Sequence, residues 1–556
     1  MDSPSLHLIP LGGLGEVGKN MMAFQYGTEA IIIDTGIMFP ENDMLGIDYI
    51  IPDFKFLTQR DDFHVRAIIV THGHEDHTGA IQHVAAAFAA PIYATPLTRG
   101  LLEVKLKQAR LLDQVQMVTF QAGDTLELGP FTVESFHVCH SIPDGVGLGV
   151  TTPVGLIVHS GDFKFDHTPV DNWPPDFAKL AEFSARGVLA LLSDSTNADR
   201  PGWTPSEAVI DEAFDRVFRS APGRIIVATF ASLISRIQQV ATAAERYHRK
   251  MAIAGHTMSE NIRMAVNLGY LELSPDLMIS LDEAVRREPS EVVIMATGTQ
   301  GEPSAVLGRL ATGQHHQLSI QPGDTVIISA HPIPGNEEGV HRTINRLFQR
   351  GAQVIYDPIA AVHVSGHASQ EEQKLLINLV RPKYFIPIHG ELRHLKQHAL
   401  LAEQVGIPRE RIAVVENGTM LSFDMHGMMT IGERLPGGYV FVDGAGVGDI
   451  GPAVIRDRET LARDGFVIVN MIVSSATNEC MGEPQIVSRG FVFLREADVL
   501  MANARETIKR TLSQNLTANG RKAEIVQEAL SKMFYNETKR RPMVFVFVNE
   551  NMVEAR

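Results

Sequence analysis

The segment THGHEDHTG, residues 71–79, follows directly on the apolar run AIIV and places His72, His74, Asp76 and His77 within six residues. In an extended segment His72 and His74 point the same way, while Asp76 and His77 enter the next turn and face a neighbouring point. This spacing suits two adjacent metal positions. Imidazole favours zinc-like ions, and the added carboxylate extends the range toward manganese. A polar loop at a strand end accounts for isolated histidines, but poorly for four potential ligands in one short run.

The 556 residues are enough for about three or four domains at roughly 150 residues each. Hydrophobic residues make up 44% and charged residues 21%, which excludes a disordered or low-complexity chain. The most apolar stretch, residues 84–94, is short and interrupted by Pro91, so no membrane span is expected. The opening MDSPSLHLIPLGG lacks a secretory pattern, and two cysteines, Cys139 and Cys480, cannot form a disulfide framework. Both observations fit a reducing, cytoplasmic setting. Cys139 adjoins His140, and alternation along a strand puts its thiol on the opposite face, as a buried group. The net charge of −16 argues against general attraction to a polyanion, so any nucleic-acid contact has to be local. Only the segment 505–541 runs the other way, with nine basic residues against four acidic ones, either an RNA-facing surface or a solvated helical face.

Short strands dominate the first 200 residues. From Thr204 onward strands such as GRIIVATF, EVVIMATG and DTVIISA alternate with helix-length segments, which predicts a parallel, doubly wound sheet over about 206–360. Thr204, Pro205 and Glu207 read as the N-cap, first-turn proline and capping-box acid of its first helix. Another strand-helix-strand unit runs through IPIHGE, a Gly-rich stretch reads as a linker, and a small α/β unit closes the chain. Gly13, Gly15 and Gly18 match a nucleotide-binding pattern, but the segment leads into the strand MMAFQYG and position 20 is Asn. With no helix N-terminus to receive a phosphate, a glycine-rich hairpin turn is the better reading.

The HxHxDH run resembles the metallo-β-lactamase superfamily. Asp34 in IIIDTG, His140 in HSIPD and Asp162 in SGDFKFD resemble that family's further motif residues in the same order, and His389 in IPIHGE resembles its last ligand. The large gap before His389 identifies the chain as a member of the β-CASP nuclease branch, whose extra motifs resemble Asp194, His367 and His389. SDSTNADRPG, ATGTQGEP, HPIPGNE, VSGHASQEE and IPIHGELRHL are similar to the ribonuclease J family over nearly the whole length. The resemblance implies an α/β fold: a metallo-β-lactamase αββα sandwich in two parts (1–205 and 361–440), an inserted β-CASP domain (206–360), a linker (441–460) and a small α/β C-terminal domain (461–556).

It further implies two divalent ions, zinc first with manganese or magnesium as alternatives. One ion would be held by His72, His74 and His140, the other by Asp76, His77 and His389, with Asp162 bridging and Asp34 as support. Catalysis would rest on Asp76, His367 and Asp194, with His367 protonating or stabilising the leaving oxygen and Asp194 orienting or assisting. Ser369 and Glu372 form a capping box, and the loop Ser365, Gly366, His367, Ala368 and Ser369 is expected to seat a 5′-phosphate on free amides at that helix start. The implied activity is a metal-dependent ribonuclease, exonucleolytic from 5′ to 3′ and also endonucleolytic, that acts in RNA processing and decay and prefers 5′-monophosphorylated RNA. Implied partners are RNA, a second copy in a homodimer or a homotetramer, and other RNA-decay proteins, with no membrane. A thioesterase or other hydrolase on the same metal core is the alternative, disfavoured by the inserted domain and the distant His367.

Overall fold

The computed structural model describes residues 5–41, 43–333, 335–474, 477, 479–492, 497–514 and 521–551. The chain divides into two compact units. One comprises the residues up to Glu41 with Tyr49–Val440, and the other the short segment ending at Asp48 with the residues from Phe441 on.

In the larger unit, strands such as Met21–Tyr26, Glu29–Ile33 and His64–Val70 are rich in Ile, Val, Phe and Met and are almost wholly buried, as strands covered on both faces must be. They belong to an eight-stranded sheet ordered Met429–Arg434, Thr419–Phe423, Leu6–Gly12, Met21–Tyr26, Glu29–Ile33, His64–Val70, Ile92–Ala94, Met117–Thr119. Against it packs a six-stranded sheet ordered Tyr384–Ile388, Val188–Asp194, Leu156–His159, Val146–Thr151, Phe131–His137, Thr125–Leu128. Leu6, Phe24, Ile31 and Ile69 from the first sheet meet Val133, Leu148, Leu192 and Ile386 from the second in one core. Helices Phe177–Arg186 and Gln370–Val380 cover the outer face of the second sheet through Leu180, Phe183, Leu376 and Val380. Helices Ile81–Phe88 and Pro96–Gln108 make the crossovers between parallel strands of the first. The result is the expected sandwich of helices, two sheets and helices.

The insert is a five-stranded, all-parallel sheet. Its first strand in sequence, Ile225–Ala228, lies in the middle between Val292–Ala296 and Thr325–Ile328, so the chain winds outward in both directions. Ile225 and Val227 pack into one helix layer and Ile226 and Ala228 into the other, which is the doubly wound arrangement.

The expected helix start at Thr204 is not observed. The helix runs Ala208–Ser220, and the Thr204 hydroxyl instead donates to the His367 carbonyl at 2.7 Å and bonds the Ser369 hydroxyl at 2.8 Å. Long-range partners outcompete the local cap because this is where the chain crosses into the insert. Glu207, also removed from capping, accepts from Arg236 at 2.6 Å and lies 3.4 Å from the Lys164 ammonium. Arg236 donates in addition to the Val362 carbonyl, and Lys164 to that of Ser365, on the returning crossing. All three charged side chains are buried, so the two crossings share one clasp.

The smaller unit places a three-stranded sheet, ordered Gln485–Arg489, Phe466–Ser474, Met543–Asn551, against helices Asp498–Gln514 and Lys522–Thr538. Val467, Val469, Met471, Ile508, Leu512, Leu530 and Phe534 form its core. Strand Tyr439–Asp443 and helix Pro452–Asp464 occupy much of the stretch read as a linker. In the basic segment, Lys509 pairs with Glu483 and Arg521 with Glu524, both exposed pairs; residues 515–520 lie outside the described residues. Among the described residues no helix is long and apolar enough to cross a membrane.

Candidate metal centre

Strand ends bring the candidate residues together. The parallel strands Leu156–His159, Val188–Asp194 and Tyr384–Ile388 are neighbours in one sheet, so Asp162, Asp194 and His389 emerge along one edge although the whole insert separates the last from the other two. His64–Val70 delivers the HGHEDH run to the same edge, and the helical turn Glu75–Thr78 swings Asp76 and His77 round beside His389. Asp34 and His389 adopt left-handed backbone with φ of 62° and 51°, a conformation seldom taken by residues other than glycine and concentrated at functional sites.

Two clusters with separate histidines result, and a third group, Asp162, Asp194, His367 and His389, overlaps the second. His72 Nε2 and His140 Nε2 lie 3.2 and 3.0 Å from His74 Nδ1. Asp76 Oδ2 lies 3.7 Å from both His77 Nε2 and His389 Nε2. Between the clusters sits Asp162 Oδ2, 3.2 Å from His77, 3.4 Å from His389, 3.6 Å from His72 and 3.8 Å from His140. This oxygen is buried and has no hydrogen-bond partner. A buried carboxylate oxygen left in that state is costly, and it stands within reach of imidazole nitrogens from both groups. The donor set therefore fits divalent cations of the kind that imidazole and carboxylate hold. His367 Nδ1 lies 2.8 Å from Asp194 Oδ2 and 3.9 Å from Asp162 Oδ2. The Asp76 and His367 side chains are 29% and 19% exposed against 3% for Asp162, so the open mouth of the site runs along Asp76 and His367.

The outer nitrogen of each of four imidazoles is tied down, which turns the other inward. His77 Nδ1 donates to Asp34 at 2.8 Å, His140 Nδ1 to the Gly366 carbonyl at 2.8 Å, His389 Nδ1 to Asn20 Oδ1 at 2.8 Å, and His72 Nδ1 to the Thr71 hydroxyl at 3.1 Å. Such supports fix tautomer and ring orientation. Asp34 was legible in the sequence; Thr71, Asn20 and the Gly366 carbonyl were not. Asn20 had a faint signal, as the polar residue that ends the GGLGEVGKN run just where a strand begins.

The two clusters differ in charge state. Burial pushes His72 and His74 well below the usual imidazole value and His140 down to about 4. Burial acts the same way on His77 and His389, but Asp162, with Asp34 on His77, overrides it and holds His77 well above the usual value and His389 at about 9. Asp194 likewise overrides burial to raise His367. Asp162 is held well below the usual carboxylate range, the pull of His389 and His77 exceeding the effect of burial.

The 365–369 loop corrects one expectation. The amides of Gln370 and Glu371 donate to the carbonyls of Arg200 and Gly202, and the Ser369 amide to Glu372, so the first turn of helix Gln370–Val380 is already satisfied. The capping box is present, with Ser369 turned inward. Ala368 packs in the core, and a Cβ at Gly366 would crowd the His140 ring at 2.6 Å. Ser365 accepts from Asn197 Nδ2 at 2.8 Å and from the His367 amide at 3.2 Å. Ser365 and His367 are only partly buried, whereas Gly366, Ala368 and Ser369 are buried. Cys139 is buried, donates to the Trp173 carbonyl at 3.4 Å, and has its thiol pushed up to about 12, first by burial.

Residues 14–204 match the model of the metallo-beta-lactamase superfamily, 222–347 that of the ribonuclease J beta-CASP domain, 351–412 that of the Zn-dependent metallo-hydrolase RNA specificity domain, and 453–551 that of the ribonuclease J C-terminal domain. The chain is 41% identical to ribonuclease J2 of Bacillus subtilis over 99% of both chains. It is 41% identical to ribonuclease J of Thermus thermophilus over 98% of this chain and 95% of the relative. A crystal structure of a protein of unknown function from Enterococcus faecalis superposes over 75% of this chain and all of its own length, with a TM-score of 0.56 at 18% identity, a likeness of fold.

Proposed function

The chain belongs to the ribonuclease J family, and from that premise we propose that it is a metal-dependent ribonuclease that hydrolyses RNA phosphodiesters at the Asp162-centred site. The observation that carries this is the buried Asp162 Oδ2, which makes no well-formed hydrogen bond yet lies within 3.2–3.8 Å of imidazole nitrogens from both histidine clusters. His72, His74 and His140 would hold one divalent ion and Asp76, His77 and His389 a second, with Asp162 shared and zinc the ion best matched to the imidazoles. Ions held there supply positive charge for the phosphodiester oxygens and acidity for an attacking water.

The protein's own groups do the rest. Asp76, at the open mouth, faces the approaching substrate. His367 carries a proton held by Asp194, and that proton can pass to the departing oxygen of the cleaved ester. The Thr196 amide and hydroxyl fix Asp194 Oδ1, leaving Oδ2 for His367. With the first-turn amides occupied, a 5′-phosphate would be seated at the Ser365 hydroxyl rather than at the helix start, leaving His367 free for the departing oxygen. A monophosphate there sets the first phosphodiesters at the metal site and gives 5′ to 3′ removal; a triphosphate is bulkier and fits poorly. Internal cleavage by the same groups accounts for endonucleolytic action. The C-terminal unit would serve self-association, as a homodimer or homotetramer, with the enzyme acting in cytoplasmic RNA processing and decay beside other decay proteins.

The deciding experiment compares degradation of 5′-monophosphorylated and 5′-triphosphorylated RNA of equal sequence by protein of known metal content. Progressive 5′ to 3′ degradation, much faster on the monophosphate, is expected. Equal exonucleolytic rates would reject the seat at Ser365, and full activity without divalent metal would reject the mechanism.

A further inference from the structure

The glycine run GGLGEVGKN, which matches a nucleotide-binding pattern but leads into a strand rather than a helix, has a defined place in the structure. It connects Leu6–Gly12 to Met21–Tyr26, but it is not a bare turn. Leu14–Gly15 pairs in parallel with Gly390–Glu391, directly after His389, and the Gly390 amide donates to the Gly13 carbonyl at 3.1 Å. The loop ends at Asn20, whose side chain reaches the Asp76, His77, His389 cluster at three points. Oδ1 accepts from His389 Nδ1 at 2.8 Å, Nδ2 donates to the Asp76 carbonyl at 3.1 Å, and Nδ2 lies 3.2 Å from His77 Nε2. The Asn20 backbone amide adds a 3.0 Å bond to the same Asp76 carbonyl. Asn20 is buried and touches none of His72, His74 or His140 by any hydrogen bond.

The rest of the run serves this contact. Gly13 has φ of +87°, and a Cβ there would overlap Asn20 Oδ1, so only glycine leaves room for the amide. Lys19, with its side chain wholly excluded from solvent, takes φ of 56° and anchors the turn through Glu16 at 3.0 Å and the carbonyls of Leu11 and Gly438 at 3.4 Å. Glu16 in turn accepts from the Gly13 amide and from Asn417. A buried lysine and a fully engaged carboxylate are expensive to place, and here they hold the backbone on either side of Asn20.

We propose that the glycine loop exists to present Asn20, and that Asn20 is the positioning residue of one half of the metal centre, setting His389 and the Asp76–His77 turn so that a divalent cation is held there and not merely at His72, His74 and His140. The inference rests on the two-ion reading above. Asn20 Oδ1 selects the His389 tautomer whose Nε2 faces Asp162, and the bonds to the Asp76 carbonyl hold the helical turn against it. Loss of an outer-shell partner of this kind commonly weakens metal binding by about 10–100-fold.

The test is zinc titration of the full-length chain against a chromophoric chelator, for the wild type and for Asn20→Ala, Asn20→Asp and Gly13→Ala. Wild type is expected to take two zinc ions. Asn20→Ala should keep one at unchanged affinity and bind the other about 10–100-fold more weakly, with cleavage restored by excess zinc. Asn20→Asp retains the acceptor for His389 but loses the donor to the Asp76 carbonyl, and should recover only part of the affinity. Gly13→Ala, which displaces the amide without changing it, should reproduce the selective loss. Two unchanged affinities in Asn20→Ala, or an equal fall in both, would overturn the assignment, the second by showing a general structural role. A wild-type chain that takes fewer than two ions would remove the two-ion reading itself and this inference with it.

Discussion

The two halves of the metal centre are built from the same residue types and solved in opposite ways. His72, His74 and His140 are desolvated toward neutrality, and two of them lean on uncharged oxygens, the Thr71 hydroxyl and the Gly366 carbonyl. His77 and His389 are equally buried, yet carboxylates hold them protonated, and their supports are the Asp34 carboxylate and the Asn20 amide. Desolvation dominates in the first half, whereas in the second the Asp162 carboxylate outweighs it and raises both imidazoles. The difference teaches that burial alone does not set an imidazole's proton affinity; the carboxylates around it, Asp162 first, decide the direction.

Removing the group common to both halves should have the largest effect. Asp162→Asn is expected to abolish RNA cleavage and to weaken both ions, measured as bound metal per chain alongside circular dichroism to confirm folding. Retention of both ions and of activity would dissolve the distinction between a shared and a divided centre. Next come Asp76→Ala and His77→Ala. Each should also abolish cleavage with the fold intact, but bound zinc should drop only in its own half, and an Asp76→Ala protein with full activity would sink the two-ion assignment. His367→Ala belongs to neither half: metal content should stay at the wild-type level while cleavage falls by roughly two to four orders of magnitude, the usual range for a positioned acid or base. Loss of metal in that variant would make His367 a ligand. The smallest effect is expected for Asp34→Ala, about 10–100-fold in affinity for the second ion by the same chelator competition. An equal effect on the first would show that Thr71, which Asp34 also holds, carries the support across.

What could be seen in advance follows the range of the contacts. HGHEDH is contiguous, so spacing and strand geometry were enough to separate two positions. His140, Asp162 and His389 came only through resemblance, because the register of Val188–Asp194 against Tyr384–Ile388 is a tertiary fact with no local signature. Local rules failed where distant groups took over their atoms. Thr204 has a good capping sequence but spends its hydroxyl on His367 and Ser369, and the amides of Gln370 and Glu371 were promised to a phosphate but meet Arg200 and Gly202. Asn20 left only a faint signal because its role depends on Gly390 pairing with the glycine loop.

The clasp at Glu207 has a consequence for how such a chain could have been assembled. A loop's closure entropy rises only with the logarithm of its length, about 0.6 kcal/mol per doubling. A whole domain can therefore replace a short connection between Val188–Asp194 and Tyr384–Ile388 at small thermodynamic cost, provided that its two ends leave and return side by side. Lys164, two residues from Asp162 in the sandwich, Glu207 on the outgoing crossing and Arg236 in the insert pin those ends together, and they hold the returning crossing at Val362 and at Ser365, two residues from His367. The strand-end edge thus behaves as a socket: the inserted module can be lengthened or reshaped while Asp162, Asp194 and His389 keep their places.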